Sequence, residues 1–196
     1  MKRNKILASM NRHGQNKVHT NMEAYREEIT KDIWDVRNLG IPYNKSRADY
    51  LIKFDKFDPV FRNLIKKYIQ QRLFVQDSIK FATARSELIT LSPFIKFVTL
   101  KYPEWTDFRS LIRSDIVEYL EHLRNTPIRG NRDSNYKGKE PTHYYLWRMI
   151  GGVENFLYCI QRYEWPEAPE VPIRKLIYQE DRPRLEPKNV DDFTYM

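Results

Sequence analysis

A single cysteine, Cys159, stands among 196 residues. With no second Cys for an internal disulfide and no Cys or His at metal-ligand spacing, both a disulfide framework and a zinc module are excluded. Cys159 reads as a helix residue at the edge of the core. No apolar run approaches the roughly 18 residues a membrane span needs. The opening residues, MKRNKILASMNRHGQNK, lack the apolar segment of a secretory signal. The expectation is a cytoplasmic protein with no membrane partner. Phosphate-binding glycine loops, nucleophile elbows and zinc-helix motifs are absent, and the four histidines, His13, His19, His122 and His143, are scattered. No catalytic centre, metal site, cofactor or small-molecule substrate is therefore expected. Adjacent acids such as Glu27 with Glu28, or Asp191 with Asp192, read as solvated charge.

What the chain does have is 41% hydrophobic residues, 14% aromatic residues and a net charge of +8. That composition supports a sizeable core. The charge is uneven: residues 45–101 hold 12 Lys/Arg against 5 Asp/Glu, residues 124–148 hold 6 against 2, and residues 163–196 hold 5 against 8. A basic middle attracts polyanions through counterion release, although many basic proteins bind none.

The first twenty or so residues read as a polar, basic arm. Thr20 and Glu23 have the form of a capping box, and Met22, Tyr25, Ile29 and Ile33 then mark a helix to about Trp34. Gly40 and Pro42 end that region, and a polar and aromatic connection leads to Asp58. Asp58 and Pro59 are suited to the N-cap and first position of a second helix, with Phe61, Leu64, Ile65, Tyr68, Ile69 and Leu73 inward. Arg62, Lys66, Lys67 and Arg72 decorate its other side, a solvated face on the plainest reading. After a break at residues 74–77, Phe81, Ala84, Leu88, Leu91, Ile95 and Val98 define a long core helix, which Pro93 is expected to kink or break. Thr83, Ser86 and Thr90 lie opposite that core stripe, flanked by Lys80 and Arg85. Small hydroxyls there suit either a phosphate backbone or plain solvent. Ser114 reads as the N-cap of a shorter helix that buries Ile116, Tyr119, Leu120 and Leu123. A loop of about 17 residues, rich in Gly, Asn and basic residues, follows.

Residues 141–163 carry two stripes at helical spacing. Leu146, Met149, Ile150, Val153, Phe156, Leu157 and Ile160 form a core face. Tyr144, Arg148, Gly151, Asn155, Tyr158 and Arg162 form a polar and aromatic one. Gly151 and Gly152 each cost about 1 kcal/mol relative to Ala in a helix interior, so a close approach is expected, either of another helix or of a nucleic-acid backbone. The proline-rich acidic end reads as an extended linker. The expected domains are an arm and helical extension over 1–57, a helical domain over 58–165 and that linker over 166–196.

SIKFATARSELITLSPFIKFV, LIRSDIVEYLEHL and THYYLWRMIGGVENFLYCIQRYEWPEAP together resemble the N-terminal core-binding domain of tyrosine recombinases. WDVRNLGIPYN, FDPVFRNLIKKYIQQRL and LIYQEDRPRL further resemble the transposon-borne branch of these integrases. The likeness spans about residues 32–187. It implies an all-α fold, a four-helix orthogonal bundle of the SAM-like kind, that clamps double-stranded DNA together with a separate catalytic domain. No His-x-x-Arg of that catalytic domain occurs here, and Tyr195 lacks its context, so DNA binding without strand cleavage is what the resemblance supports. Phosphate contacts are then expected from Lys80, Arg85, Arg129, Arg132, Lys137 and Lys139, and base contacts from Thr83, Tyr144, Arg148 and Asn155. The alternative is a helical protein-interaction module that docks on an intact recombinase or another protomer through the Gly151/Gly152 face.

Overall fold

A computed structural model describes residues 22–43, 50–76, 78–128 and 138–176. Helix α1 (Met22–Thr30) leads into strand β1 (Ile33–Asp35), which pairs antiparallel with β2 (Leu51–Lys53) in the register Ile33 to Lys53, Trp34 to Ile52 and Asp35 to Leu51. Four longer helices follow: α2 (Pro59–Gln70), α3 (Phe81–Lys101), α4 (Arg113–Arg124) and α5 (His143–Arg162). The architecture is thus mainly helical, in line with the helical fold expected, with one small two-stranded sheet added to it. Alternation explains that sheet: Trp34, Ile52 and Phe54 are fully buried, whereas Ile33 and Lys53 face outward. The helix expected to reach Trp34 stops at Thr30, because a strand lets Trp34 enter the core while its Nε1 donates to the Lys31 carbonyl at 3.0 Å.

Asp58 caps α2 as its place before Pro59 predicts, accepting from the Val60 N–H at 3.0 Å. The break expected at 74–77 starts later, because a single π-helical turn, Gln71–Val75, prolongs α2 through residues 74 and 75. Helix α3 runs unbroken through Pro93. The carbonyl that Pro93 leaves unbonded belongs to Ile89, which is 54% exposed, so water can take the place of the missing N–H. Helix α4 begins at Arg113, one residue before the expected cap Ser114, because the Asp115 carboxylate reaches back to accept from the Ile112 N–H at 3.0 Å.

An aromatic cluster ties the four longer helices together. Phe108, from the α3–α4 connection, is fully buried with its ring 5.0 Å from Phe61 of α2, 5.8 Å from Phe94 of α3 and 5.4 Å from Phe156 of α5. Phe94 in turn meets Tyr119 of α4 at 5.2 Å. Such contacts are worth about 0.5–1.5 kcal/mol each beyond the area they bury. Tyr25, Trp34, Val36 and Phe54 belong to the same continuous core as the four longer helices, so residues 22–43 and 50–57 pack as part of this body. The proline-rich segment also packs on it as far as Leu176, where a departing linker is expected from the sequence. Phe108 donates to the Glu167 carbonyl, Glu170 to the Arg109 carbonyl, and Ile173 to the Gln161 side chain.

Two residues depart from their sequence reading in ways that matter for stability. Glu28, expected to be solvated, is 2% exposed. Its carboxylate accepts from the Asp35 N–H at 2.5 Å, the Asn38 amide at 2.9 Å and the Lys31 ammonium at 3.0 Å. Burial by itself pushes this carboxyl up, but the three donors outweigh it and hold it below the ordinary carboxylate range. Thr90, expected on the outer face of α3, is 4% exposed and fills the space that Gly152 leaves open on α5.

A Cβ at position 152 would stand 2.0 Å from Thr90 Oγ1 and 2.5 Å from Thr90 Cβ. Gly152→Ala should therefore destabilise the fold by about 1–3 kcal/mol in urea denaturation. Thr90→Gly in the same chain should recover much of that loss and Thr90→Ala less, since the Cβ contact persists. For Glu28 the sign follows from a depressed folded-state pKa: its contribution is present above the unfolded value of 4.5 and is lost as pH falls through the folded one. The stability advantage of the protein over Glu28→Gln should accordingly hold at neutral pH and shrink below about pH 4.5.

Candidate functional site

Helix α5 carries the polar stripe outward as its spacing predicts. Tyr144, Arg148, Asn155, Tyr158 and Arg162 are exposed, Gly151 is half-buried, and Met149, Ile150, Val153, Phe156, Leu157 and Ile160 are buried. Leu146, expected inward, is half-buried near the helix start. Cys159 is buried rather than at the edge of the core, and burial pushes its thiol up to about 11.

Two contacts set the relation of α5 to α3. Arg148 Nη2 donates to Ser86 Oγ at 2.9 Å, and Gly152 lies against Thr90. Moving four residues along α5 moves four residues along α3, so the two helices run side by side in the same direction. One turn towards their N-termini, Tyr144 comes level with Ala82 and Thr83. By this register Lys80, the exposed N-cap residue of α3, and exposed Thr83 fall at the same end of the helix pair as Tyr144 and Arg148. Both helices present the positive ends of their dipoles here. Thr142 caps α5 through its side chain, accepting from the Tyr145 N–H at 3.2 Å.

Arg85 is half-buried on the other flank of α3, its guanidinium 5.8 Å from the Phe81 ring. Lys139 is exposed at the base of the loop before α5, where the Ile128 N–H donates to its carbonyl and the Gly138 N–H donates to that of Ile128, both at 3.0 Å. Asn155 faces outward farther along α5, so it shares the stripe but not the Lys80 end. Arg129, Arg132 and Lys137 lie outside the described residues. Among the described residues no group of three metal-binding side chains comes together, and no helix is long and apolar enough to cross a membrane.

The basic residues of α2 are spent inside the fold. Arg62 reaches Asp32 at 2.5 Å and the carbonyl of Phe57 at 3.1 Å. Lys66, 9% exposed, bonds the Thr30 carbonyl and lies 2.7 Å from Asp32. Lys67 sits 4.1 Å over the Trp165 ring and pairs with Glu167. Arg72 pairs with buried Glu87 at 3.0 Å. This face is therefore neutralised by partners, not a solvated basic surface. Lys53 and Lys56, by contrast, stand exposed beside Arg85. They carry no signal of their own in the sequence, since a strand of three residues is too short for its alternation to stand out.

No protein-family model and no solved structure matches the chain. Among curated proteins it is 30% identical over 174 residues to Transposase B from transposon Tn554 of Staphylococcus aureus strains Mu50 and N315. It is 30% identical over the same length to Transposase B from transposon PsiTn554 of Staphylococcus aureus. The aligned region covers 85% of this chain and 25% of each relative, so the chain spans about a quarter of the length of the curated proteins it matches.

The Arg148 side chain is exposed and its one described hydrogen bond is to a half-buried hydroxyl. Arg148→Ala should change folding stability by less than about 0.5 kcal/mol, as measured by thermal denaturation. This makes it a clean probe of binding.

Proposed function

We propose that this chain is a DNA-binding segment of a transposon-borne recombinase of the tyrosine family, corresponding to its SAM-like core-binding domain with the four longer helices as an orthogonal bundle. The segment grips duplex DNA at a recombination site, in the cytoplasm, and does not itself cut the strand. The observation that carries this reading is the outward row of Tyr144, Arg148, Asn155, Tyr158 and Arg162, joined to the Lys80/Thr83 end of α3 by the Arg148–Ser86 hydrogen bond. The similarity to Transposase B of Tn554 supports it from an independent direction.

The chemistry of that row is what duplex recognition uses. At 1.5 Å per residue the row from Tyr144 to Arg162 is about 27 Å long, room for roughly eight base pairs. Lys80, Arg85 and Lys139 supply point charges for phosphates, together with Arg129, Arg132 and Lys137 of the preceding loop. Arg148 offers a planar fork of donors and Asn155 an amide with both donor and acceptor, the side chains that read guanine and adenine edges. Thr83 and Tyr144 complete the proposed base-contacting set. Other protomers or the rest of a recombinase are partners compatible with this arrangement. Docking of a protein through the Gly151/Gly152 face is disfavoured, because the space above Gly152 is already taken by Thr90.

Fluorescence anisotropy with a labelled duplex tests the reading. About five phosphate contacts should give a log–log salt slope near −4 to −5. Arg148→Ala should weaken binding about tenfold, the scale of one lost base contact. Absence of binding to any duplex at low salt, or binding insensitive to salt, would overturn the reading. Incubation with a nicked suicide substrate should leave no covalent protein–DNA adduct.

A further inference from the structure

Helix α3 has two flanks, and only one of them faces α5. By helical spacing, Ser86 and Thr90 point to α5, whereas Ile89 turns about 80° and Arg85 about 120° away, and buried Leu88 lies on the opposite side. On that second side α3 and the segment after β1 enclose a cleft of about 350 Å³, lined by Tyr50, Leu51, Lys53, Asp55, Lys56, Arg85, Leu88 and Ile89. Three of its side chains are cationic and one, Asp55, is anionic. Lys53 and Lys56 are exposed, and Ile89, on the outer ridge of α3, is 54% exposed. The lysines are placed by buried neighbours: Ile52 and Phe54 anchor the strand on both sides of Lys53, and Phe57 lies under Lys56, whose ammonium is 5.3 Å from its ring. Close by, the Arg37 guanidinium stacks 3.8 Å over the Tyr50 ring while paired with Asp35, which stiffens the wall of the cleft.

The start of the outer ridge of α3, at Ala82 and Ser86, carries short side chains between two cationic walls, and Ile89 follows a turn farther along. One wall is Arg148 of α5 and the other is Lys53 and Lys56 of the sheet segment. A ridge whose start is short-side-chained, between two positive walls, matches a duplex groove between two phosphodiester strands, and it does not match an acidic peptide, which presents one row of charge. We infer that the cleft between the sheet segment and α3 is a second phosphate-binding wall, in which Lys53 and Lys56 engage the strand opposite to the one engaged at the Lys80 end of the α3–α5 pair. This inference rests on the DNA-binding reading above and extends it to residues 50–56, which lie outside the helices that the reading was built on.

The test compares Lys53→Ala with Lys56→Ala in one chain against the unaltered protein, by anisotropy on a fluorescein-labelled 30-base-pair duplex of arbitrary sequence. Each lost phosphate contact lowers the salt slope by about 1, so the double variant should show a slope smaller by about 2 and binding weakened on the order of tenfold. Replacing both lysines by arginine should restore slope and affinity. Removing two exposed arginines outside the cleft, Arg26→Ala with Arg124→Ala, should leave the slope nearly unchanged. If the unaltered protein binds and the lysine variant keeps its slope, or if the arginine variant loses as much, the cleft is not a phosphate wall although the DNA-binding reading stands. If the unaltered protein binds no duplex, that reading falls and this inference with it.

Discussion

The close approach of α5 to α3 at Gly152 and Thr90 is the constraint from which the rest of the interface follows. A side chain at position 152 would meet Thr90 at 2.0 Å, so only glycine lets the helices lie in this register. The register then puts Arg148 within hydrogen-bond reach of Ser86. Gly152 costs about 1 kcal/mol of helix propensity, and the buried contact it allows offsets that cost. Its neighbour Gly151 sits on the outward stripe, half-buried, where a small residue keeps the middle of α5 low between Arg148 and Asn155.

Net charge is a poor guide to where a polyanion could sit on this molecule. Residues 45–101 hold most of the positive excess, yet Arg62, Lys66, Lys67, Arg72 and Lys101 are bound to Asp32, Glu167, Glu87, Asp115 and Glu118. Those pairs cross between elements: α2 to the turn before β1, α2 to the returning proline-rich segment, the π-helical turn to α3, and the end of α3 to α4. They serve assembly more than recognition. Lys53, Lys56, Lys80, Lys139 and Arg148 are exposed on the elements that surround the α3 ridge or lead into α5.

Local signals in the sequence located the helices well. The 3.6-residue periodicity of α2, α3 and α5 matches their buried faces nearly residue for residue, and Asp58 marks a true helix start. The outward stripe of α5 was legible for the same reason, since a single helix fixes which of its own residues share a face. What the sequence could not express was pairing between distant segments. Trp34 and Ile52 face each other across a strand pair, and three-residue strands are too short for alternation to stand out from noise. Thr90 looked polar and therefore external, but its outwardness depends on Gly152, 62 residues away. Glu28 looked solvated because nothing local reveals that the Asp35 N–H and Asn38 amide will fold over it.

The buried polar group beneath α3 shows how its orientation is held from below as well as from α5. Glu87 is 6% exposed, pairs with Arg72 at 3.0 Å and accepts from the Tyr68 hydroxyl at 2.8 Å. Burial pushes the Glu87 carboxyl up, and Arg72 and Tyr68 work against that rise. A pair like this adds little net stability over an apolar substitute, because desolvation consumes most of the attraction. Its effect is directional. An apolar contact tolerates a helix rotated by some tens of degrees, whereas a carboxylate between a guanidinium and a phenol does not. The π-helical turn is what carries Arg72 to Glu87, and with Glu87 fixed inward, Arg85 and Ser86 are fixed towards opposite flanks of the ridge. The orientation of the proposed DNA-facing surface is in this sense set by a charge pair that no partner can reach.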